Sequence, residues 1–171
     1  QLTNLPLLQK EFIINPYQFL EGRVRGASAA LILAYYFQEK ELKDIINEAE
    51  KIGIEVVVEC SMEEELSRVL EVNPDIIMIN NRPIAKIPEN PLEAYNDGSI
   101  EVILSWWERN TDLRSWKKQP GKLLISASCV NSSQDIEYLL KIPCDAALIG
   151  NAAMEASDRV YFLNSLKNTL N

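Results

Sequence analysis

Six uninterrupted apolar runs, separated by segments with a helical pattern, constrain the fold of this chain more than any other feature. The runs lie at residues 5–8, 29–34, 55–59, 75–79, 122–126 and 146–149. Because they do not alternate with polar residues, they are typical of strands buried on both faces, as in a parallel sheet. The segments between them carry apolar residues at helical spacing, and their candidate N-caps are Ser61, Ser132 or Ser133, and Ser157. This regular succession predicts an α/β protein built from consecutive βα units.

Two architectures accommodate six parallel βα units: an open doubly wound sheet, or most of a (β/α)8 TIM barrel. A complete barrel needs roughly 250 residues, or about 200 at the lean end, whereas this sequence has 171. A nucleotide-binding open sheet usually has a glycine-rich first turn, which this sequence lacks. We therefore predict a single partial barrel domain over residues 1–171 that contains strands three to eight; the first two βα units are not part of this sequence, and whether another chain supplies them stays open.

The connection after the fourth predicted strand is longer than a βα repeat requires. We interpret it as a loop–helix unit with an insertion within residues 83–121, in which "IEVILSWWERN" has a helical period. We expect Trp106, Trp107 and Trp116 to pack this insertion or a partner surface in preference to binding a substrate. The insertion is therefore the candidate site for a protein partner.

The acidic balance of the sequence limits its partners. The formal net charge is -8 and the sequence pI is about 4.7, so the protein should repel both nucleic acid and anionic membranes. A small anionic substrate is compatible, because one pocket can be cationic on an acidic protein. No run approaches the roughly 20 apolar residues of a membrane span, and no secretory signal opens the chain. We expect a cytoplasmic protein; because the sequence begins at Gln1 and not at Met, an upstream organelle-targeting peptide stays an open alternative.

Histidine and cysteine usage restricts the chemistry. The chain has no histidine, so acid–base steps fall to Lys, Glu, Asp or Tyr. Its three cysteines, Cys60, Cys129 and Cys144, lack the spacing of a metal site. We interpret them as small buried side chains in a reducing compartment, and we predict no metal site.

Polar side chains follow several predicted strands at the point where each strand ends. Lys10 follows the first run, Glu59 ends the third, and Asn80 and Arg82 follow the fourth. In a parallel barrel all these positions lie on the C-terminal rim, where active sites are built. A lysine and a glutamate held close together there would alter each other's protonation and could exchange protons with a substrate. The plainer alternatives are that Lys10 extends into water and that Glu59 caps the next helix.

Small residues follow the last two predicted strands. Ser128 and Gly150 leave backbone N–H groups accessible, which suits an anion. In barrels, the loops after strands seven and eight often hold a phosphate. If two units precede Gln1, the fifth and sixth strands of this chain are those two, so a phosphorylated small-molecule substrate is predicted.

Several of these segments resemble the indole-3-glycerol-phosphate synthase family of tryptophan biosynthesis. "LPLLQKEFIINPYQ" is similar to the family's third-strand motif, "GASAALILA" to its fourth strand, "EVVVE" to its fifth, "INNR" to its sixth and "ALIGNAAM" to its eighth. The resemblance implies a (β/α)8 barrel that needs no cofactor or metal. It implies a carbon–carbon lyase, a decarboxylase that closes the ring of 1-(2-carboxyphenylamino)-1-deoxyribulose 5-phosphate and releases CO2 and water to form indole-3-glycerol phosphate. A related isomerase barrel of the same pathway is a weaker interpretation, since "QKEF" and "INNR" together argue against it.

The resemblance also implies roles for individual residues. Lys10 matches the general acid that assists ring closure, and Glu59 matches the glutamate that transfers protons or holds that lysine. Asn80 matches the asparagine that hydrogen-bonds the substrate. The remaining matches bind substrate and comprise two apolar wall positions, the arginine after the asparagine and three phosphate-loop positions: Phe12, Leu31, Arg82, Ser128, Gly150 and Asn151.

Departures from the family pattern favour an alternative function. Ala127 and Cys129 replace the glutamate and glycine that the family has after its seventh strand, and Asn151 replaces a serine or glutamate. The first-strand Glu and Lys of the family are also absent from residues 1–171. The alternative is a catalytically impaired barrel homologue that acts as a binding or scaffolding subunit, and we expect the isolated segment to be inactive.

Overall fold

The computed structural model describes residues 4–82 and 98–170. The chain divides into two compact units, Gln1–Ile77 and Met78–Asn171. Helices and parallel strands alternate in both units. The first unit contains β1 (Leu8–Gln9), α1 (Tyr17–Val24), β2 (Ala29–Leu33), a 3-10 turn (Ala34–Tyr36), α2 (Glu39–Ile52), β3 (Glu55–Cys60) and α3 (Glu63–Val72).

The second unit begins within β4, which spans Ile76–Asn80. It continues through α4 (Glu101–Arg109), α5 (Thr111–Lys117), β5 (Leu123–Ala127), α6 (Ser133–Leu139), β6 (Ala146–Leu148), α7 (Asn151–Glu155) and α8 (Arg159–Asn168). Within residues 4–82 and 98–170, six strands are thus present, at or beside the six apolar runs of the sequence.

Strand pairing within each unit is parallel and follows the order of the chain. In the first unit β1 pairs with β2, and β2 pairs with β3 in a register that places Leu33 opposite Glu59. In the second unit β5 pairs with β6, with Ala127 opposite Leu148. Because neighbouring strands are parallel, the residues that follow them lie at the same edge of the sheet in each unit.

The first strand is displaced from the apolar run that predicts it. That run covers residues 5–8, but β1 is Leu8–Gln9, and Leu5 is 71% exposed. Pro6 has no N–H to donate to a sheet ladder, which explains why the ladder does not extend back through it. The Leu7 carbonyl nevertheless accepts hydrogen bonds from the backbone N–H groups of Ser28 and Ala29.

The helices of the first unit bury one apolar face each. Leu42, Ile45 and Ala49 form the buried face of α2, and the helix ends at Gly53, whose φ of 72° is the left-handed C-cap conformation that glycine favours. The sequence predicts Ser61 as the N-cap of α3. This prediction is wrong, because α3 begins at Glu63 and its N-cap is Met62. The Glu65 carboxylate instead accepts hydrogen bonds from the Ser61 and Met62 N–H groups.

The capping predictions of the second unit differ in outcome. Ser132, one of the two serines that the sequence offers as the cap of α6, is the N-cap, and its hydroxyl accepts a hydrogen bond from the Asp135 N–H. For α8, Asp158 and not Ser157 is the N-cap, and its carboxylate accepts from the Tyr161 N–H.

The predicted insertion within 83–121 is only partly covered, since residues 83–97 lie outside the described residues. The remainder contains α4 and α5. Trp106 and Trp116 are 5% and 2% exposed, so they serve packing, while Trp107 is half-buried. One domain over 1–171 with an insertion in it stays a prediction. Across the described ranges, 4–82 and 98–170, the helices are too short or too polar for a membrane span.

Candidate active site

A lysine and a glutamate approach each other at the C-terminal edge of the first unit. Lys10 directly follows β1, and Glu59 is the penultimate residue of β3. The Lys10 Nζ and Glu59 Oε2 atoms are 4.0 Å apart. The Glu59 side chain is 1% exposed and the Lys10 side chain 50% exposed. The pair therefore joins a buried carboxylate to an ammonium that still reaches solvent, an arrangement that lets the lysine present a proton to a ligand while the buried charge is compensated.

An exposed group of aromatic side chains follows the first two strands at the same edge. The Phe12 and Tyr36 rings meet edge-to-face with centroids 6.2 Å apart, and Tyr35 and Tyr36 do so at 5.3 Å. Phe12 is 55% and Tyr36 42% exposed, so both rings remain accessible to a planar ligand. Leu31 lies mid-strand in β2 and is buried. Sequence reasoning selected Phe12 and Leu31 but missed Tyr35 and Tyr36; aromatic residues directly after a predicted strand were the available signal.

Asn80 and Arg82 lie at the end of β4, in the second unit. The Asn80 carboxamide oxygen accepts a hydrogen bond of 3.1 Å from the Arg82 backbone N–H, so the asparagine shapes the turn that carries the arginine. Asn80 is 8% exposed. The sequence assigns no role to Asn81 between them, yet Asn81 is fully buried and heavily hydrogen-bonded.

The loop after β5 adopts an uncommon backbone conformation. Ser128 and Cys129 have φ values of 65° and 60°, the left-handed region that favours glycine. The Ser128 N–H donates to the Leu148 carbonyl at 3.4 Å, which links this loop to the end of β6. This N–H is therefore not left accessible, in contrast to the expectation from the sequence. Gly150 and Asn151 follow β6 and are exposed, with Asn151 starting α7.

Arg82 supplies positive charge beside this loop. Burial raises the pKa of the Cys129 thiol above its usual range, while the adjacent Arg82 guanidinium acts in the opposite direction through its charge and a hydrogen bond. A Cβ atom added to Gly98 would meet both the Cys129 Sγ and the Arg82 Cγ, so the Arg82 side chain lies beside Cys129, the residue after Ser128. Such a cationic group beside a tight loop is suited to a phosphate.

The structure thus brings together two sets of predicted residues, Lys10 with Glu59 in one unit and Arg82 with the Ser128 loop in the other. The convergence of Lys10, Glu59 and Asn80 on one rim stays a prediction. Among residues 4–82 and 98–170, the histidine, cysteine and acidic side chains form no cluster of three that could hold a metal ion.

Comparison with solved structures identifies the fold class. A chain of 3-hexulose-6-phosphate synthase superposes with a TM-score of 0.61 at 14% identity, covering 93% of this chain and 70% of that one. A chain of the tryptophan synthase a2b2 complex from Pyrococcus furiosus superposes with a TM-score of 0.58 at 16% identity, covering 96% and 66%. Identities this low speak to the fold alone. The predicted class, a parallel (β/α)8 barrel of which this chain contains six βα units, is confirmed.

Comparison with known sequences identifies the family. The family model described as indole-3-glycerol phosphate synthase matches residues 1–166. The indole-3-glycerol phosphate synthase of Lachnospira eligens is 35% identical over 172 aligned residues, which cover 100% of this chain and 59% of the relative. That of Petrotoga mobilis is 32% identical, covering 96% and 60%. The chain therefore spans about three-fifths of the length of these curated relatives. It belongs to the indole-3-glycerol phosphate synthase family.

Proposed function

We propose that the protein carrying this chain converts 1-(2-carboxyphenylamino)-1-deoxyribulose 5-phosphate into indole-3-glycerol phosphate, CO2 and water. The proposal is carried by the Lys10–Glu59 pair, whose Nζ and Oε2 atoms are 4.0 Å apart at the C-terminal edge of the first unit of a chain of this family. We base the proposal on this pair because its two side chains lie within ion-pair distance of each other.

In the proposed reaction Lys10 acts as the general acid. The ring carbon that bears the carboxylate attacks the substrate carbonyl, and Lys10 transfers a proton to the carbonyl oxygen as the new carbon–carbon bond forms. Loss of CO2 then restores the aromatic ring. The resulting hydroxyl is protonated and leaves as water, while the neighbouring carbon, which is bonded to the nitrogen, loses a proton and the double bond of the new ring forms. Glu59 orients the Lys10 ammonium and compensates its charge. The Glu59 carboxylate also takes part in the proton transfer that restores the proton of Lys10.

The other predicted residues bind the substrate in this proposal. Phe12 and Leu31 provide apolar surface for the aromatic ring, and the accessible edge of Tyr36 extends it. Asn80 hydrogen-bonds the substrate. The phosphate-binding group consists of the arginine beside the β5 loop and three loop positions: Arg82, Ser128, Gly150 and Asn151.

The test uses the full-length protein that carries these residues. We expect the purified protein to generate indole fluorescence from the substrate, and Lys10→Met to lower kcat by about 100-fold or more. Glu59→Gln keeps the shape of the side chain but removes its charge, and we expect a smaller loss. Lys40→Met, at an exposed position of α2, is the matched control and should leave kcat unchanged. Full activity in Lys10→Met would reject the proposed role of this lysine.

A second candidate function is a binding or scaffolding subunit without catalysis. It is favoured by Ala127, which is 1% exposed at the end of β5 and provides no carboxylate at that position. Under this alternative, the full-length protein binds the substrate or the product without turnover and co-purifies with a stable partner.

A further inference from the structure

Asn81 is a buried asparagine whose side-chain bonds join the segments around it in the second unit. Its Nδ2 atom lies 2.9 Å from the Ser126 hydroxyl, 2.9 Å from the Ala127 carbonyl and 3.1 Å from the Ser128 carbonyl. Its Oδ1 atom accepts from the Ile103 N–H at 3.2 Å. Both N–H donors and the acceptor oxygen of the carboxamide are therefore in use. An isolated surface asparagine would be satisfied by water, so this arrangement indicates a specific structural task.

The task concerns the left-handed loop that follows β5. Non-glycine residues such as Ser128 and Cys129 are sterically strained in this conformation. Such residues persist only where the surroundings impose them. The Asn81 backbone N–H donates to the Ala127 carbonyl at 2.9 Å, and its side chain binds the Ser128 carbonyl. The backbone N–H and the side chain of Asn81 thus fix the carbonyl groups of Ala127 and Ser128, where the left-handed segment begins.

The same residue connects this loop to α4. The Ile103 N–H belongs to the first turn of the described helix Glu101–Arg109, and its bond to Asn81 Oδ1 fixes the start of that helix beside the end of β4. The packing there is close: a Cβ atom added to Gly98 would collide with the Cys129 Sγ and the Arg82 side chain. A shift of the β5 loop would therefore also displace Arg82.

We propose that Asn81 is a positioning residue for the phosphate of the substrate. It holds the backbone of Ser128 and Cys129 in the conformation that presents the loop to an anion, with Arg82 beside it. This inference rests on the proposed function only in assigning the phosphate to this loop. Asn81 is not a catalytic residue, because its carboxamide is consumed by protein groups. Its contribution is preorganisation, which lowers the ordering cost of binding.

The experiment measures loop conformation and phosphate affinity separately in the full-length protein. The first readout is the alkylation rate of Cys129, followed by peptide mass spectrometry, with buried Cys60 and half-buried Cys144 as internal references. The second is the dissociation constant for inorganic phosphate. We expect Asn81→Ala to raise the Cys129 alkylation rate and to weaken phosphate binding, each by about tenfold, a change of about 1.4 kcal/mol.

Two further variants separate the positioning role from a loss of stability. Asn81→Asp keeps an acceptor for the Ile103 N–H but loses donors to the loop, so it should raise Cys129 alkylation while α4 stays anchored. Asn110→Ala removes the N-cap of α5, where Asn110 Oδ1 accepts from the Leu113 N–H at 2.9 Å. Loss of this cap destabilises the protein without touching the β5 loop. We expect Asn110→Ala to leave both readouts unchanged.

The outcomes are distinguishable. Unchanged Cys129 alkylation in both Asn81 variants overturns the proposal, as does faster alkylation with unchanged phosphate affinity, or a wild-type protein that does not bind phosphate. If the wild-type protein makes no indole product but the Asn81 variants lose phosphate affinity as expected, the proposed function fails and the role of Asn81 in phosphate binding stands.

Discussion

At the scale of single residues, Cys129 holds a left-handed conformation without being glycine. Its φ is 60°, and its Sγ contacts the Asn81 carbonyl at 3.9 Å. Two variants separate the strain from the thiol contact: Cys129→Ala removes only the thiol, whereas Cys129→Gly also removes the Cβ. We expect the glycine variant to exceed the alanine variant in free energy of unfolding by about 1 kcal/mol, because glycine adopts positive φ without a steric penalty.

Urea denaturation followed by tryptophan fluorescence measures this difference, since the tryptophans lie in the same unit as Cys129. Equal stability of the two variants would mean that the loop relaxes when the thiol is removed. The comparison also measures what a Cβ atom at this position costs this chain.

Tyr36 offers a residue-scale test of the proposed aromatic surface. Its ring packs edge-to-face on Phe12 and is 42% exposed. We expect Tyr36→Leu to raise KM for the substrate about fivefold with little change in kcat, because a ring contact contributes about 1 kcal/mol to binding. Steady-state kinetics on the full-length protein provide the measurement.

Tyr161→Leu is the matched control for this prediction, because Tyr161 is 74% exposed on α8 and has no proposed contact with substrate. Its kinetic constants should equal those of the wild type. A KM that is unaltered in Tyr36→Leu would remove Tyr36 from the binding surface.

At the scale of elements, the start of α3 depends on one buried glutamate. Glu65 is 1% exposed, and its Oε2 accepts from the Ser61 N–H at 2.8 Å and the Met62 N–H at 3.3 Å. We expect Glu65→Ala to lower the free energy of unfolding by about 2 kcal/mol, because bonds from N–H groups to a charged acceptor are strong and the freed groups stay buried. Far-ultraviolet circular dichroism during urea denaturation reports the loss.

Glu64→Ala, one residue earlier and exposed, is the control for that prediction. It removes a favourable interaction with the helix dipole of only a few tenths of a kcal/mol. Similar losses in the two variants would show that the carboxylate charge, and not its hydrogen bonds, stabilises the helix start.

Elements were more predictable from sequence than caps and loops. All six strands lie at or beside the apolar runs, because burial on both faces leaves a continuous apolar signature. The N-terminal limits of α3 and α8 were misplaced, since serine, aspartate and a distant carboxylate compete for the same N–H groups. The side chain that accepts these hydrogen bonds is determined by how the preceding strand packs, and the local sequence does not encode that packing.

At the scale of the whole molecule, a buried thiol makes stability depend on alkaline pH. Burial raises the pKa of the Cys60 thiol well above its usual range, and the Glu65 carboxylate raises it further. Below the usual thiol pKa of about 8.5 both folded and unfolded states keep the proton. Above it the unfolded state loses the proton while the folded state retains it, so the free energy of unfolding falls as pH rises, by up to about 1.4 kcal/mol per pH unit.

We therefore expect Cys60→Ala to flatten this fall between about pH 9 and pH 10.5. The measurement is the free energy of unfolding from urea curves at several pH values, and the slope is compared rather than the absolute stability, since the variant also opens a cavity. Cys144→Ala, at a less buried thiol, should flatten the slope less. Identical slopes in wild type and Cys60→Ala would contradict the prediction.

The family was identifiable from sequence because its motifs occur at the ends of strands, where position and residue type coincide. The approach of Lys10 to Glu59 followed from that placement. The role of Asn81 did not, because its partners Ser126, Ala127 and Ser128 are brought to it by a backbone conformation that neither serine nor cysteine signals. Tyr36 was missed because an exposed aromatic residue has no periodicity to mark it.

The close approach of Gly98 to Arg82 has a consequence for the insertions and replacements that this sequence can accept. Arg82 and Gly98 are the described residues on either side of 83–97, and they lie next to each other. The free energy required to bring the two ends of a flexible segment together grows only with the logarithm of its length, by about 0.6 kcal/mol for each doubling. Evolution can therefore lengthen or exchange this stretch, and an engineer can graft a reporter into it, while β4 and α4 keep their anchorage.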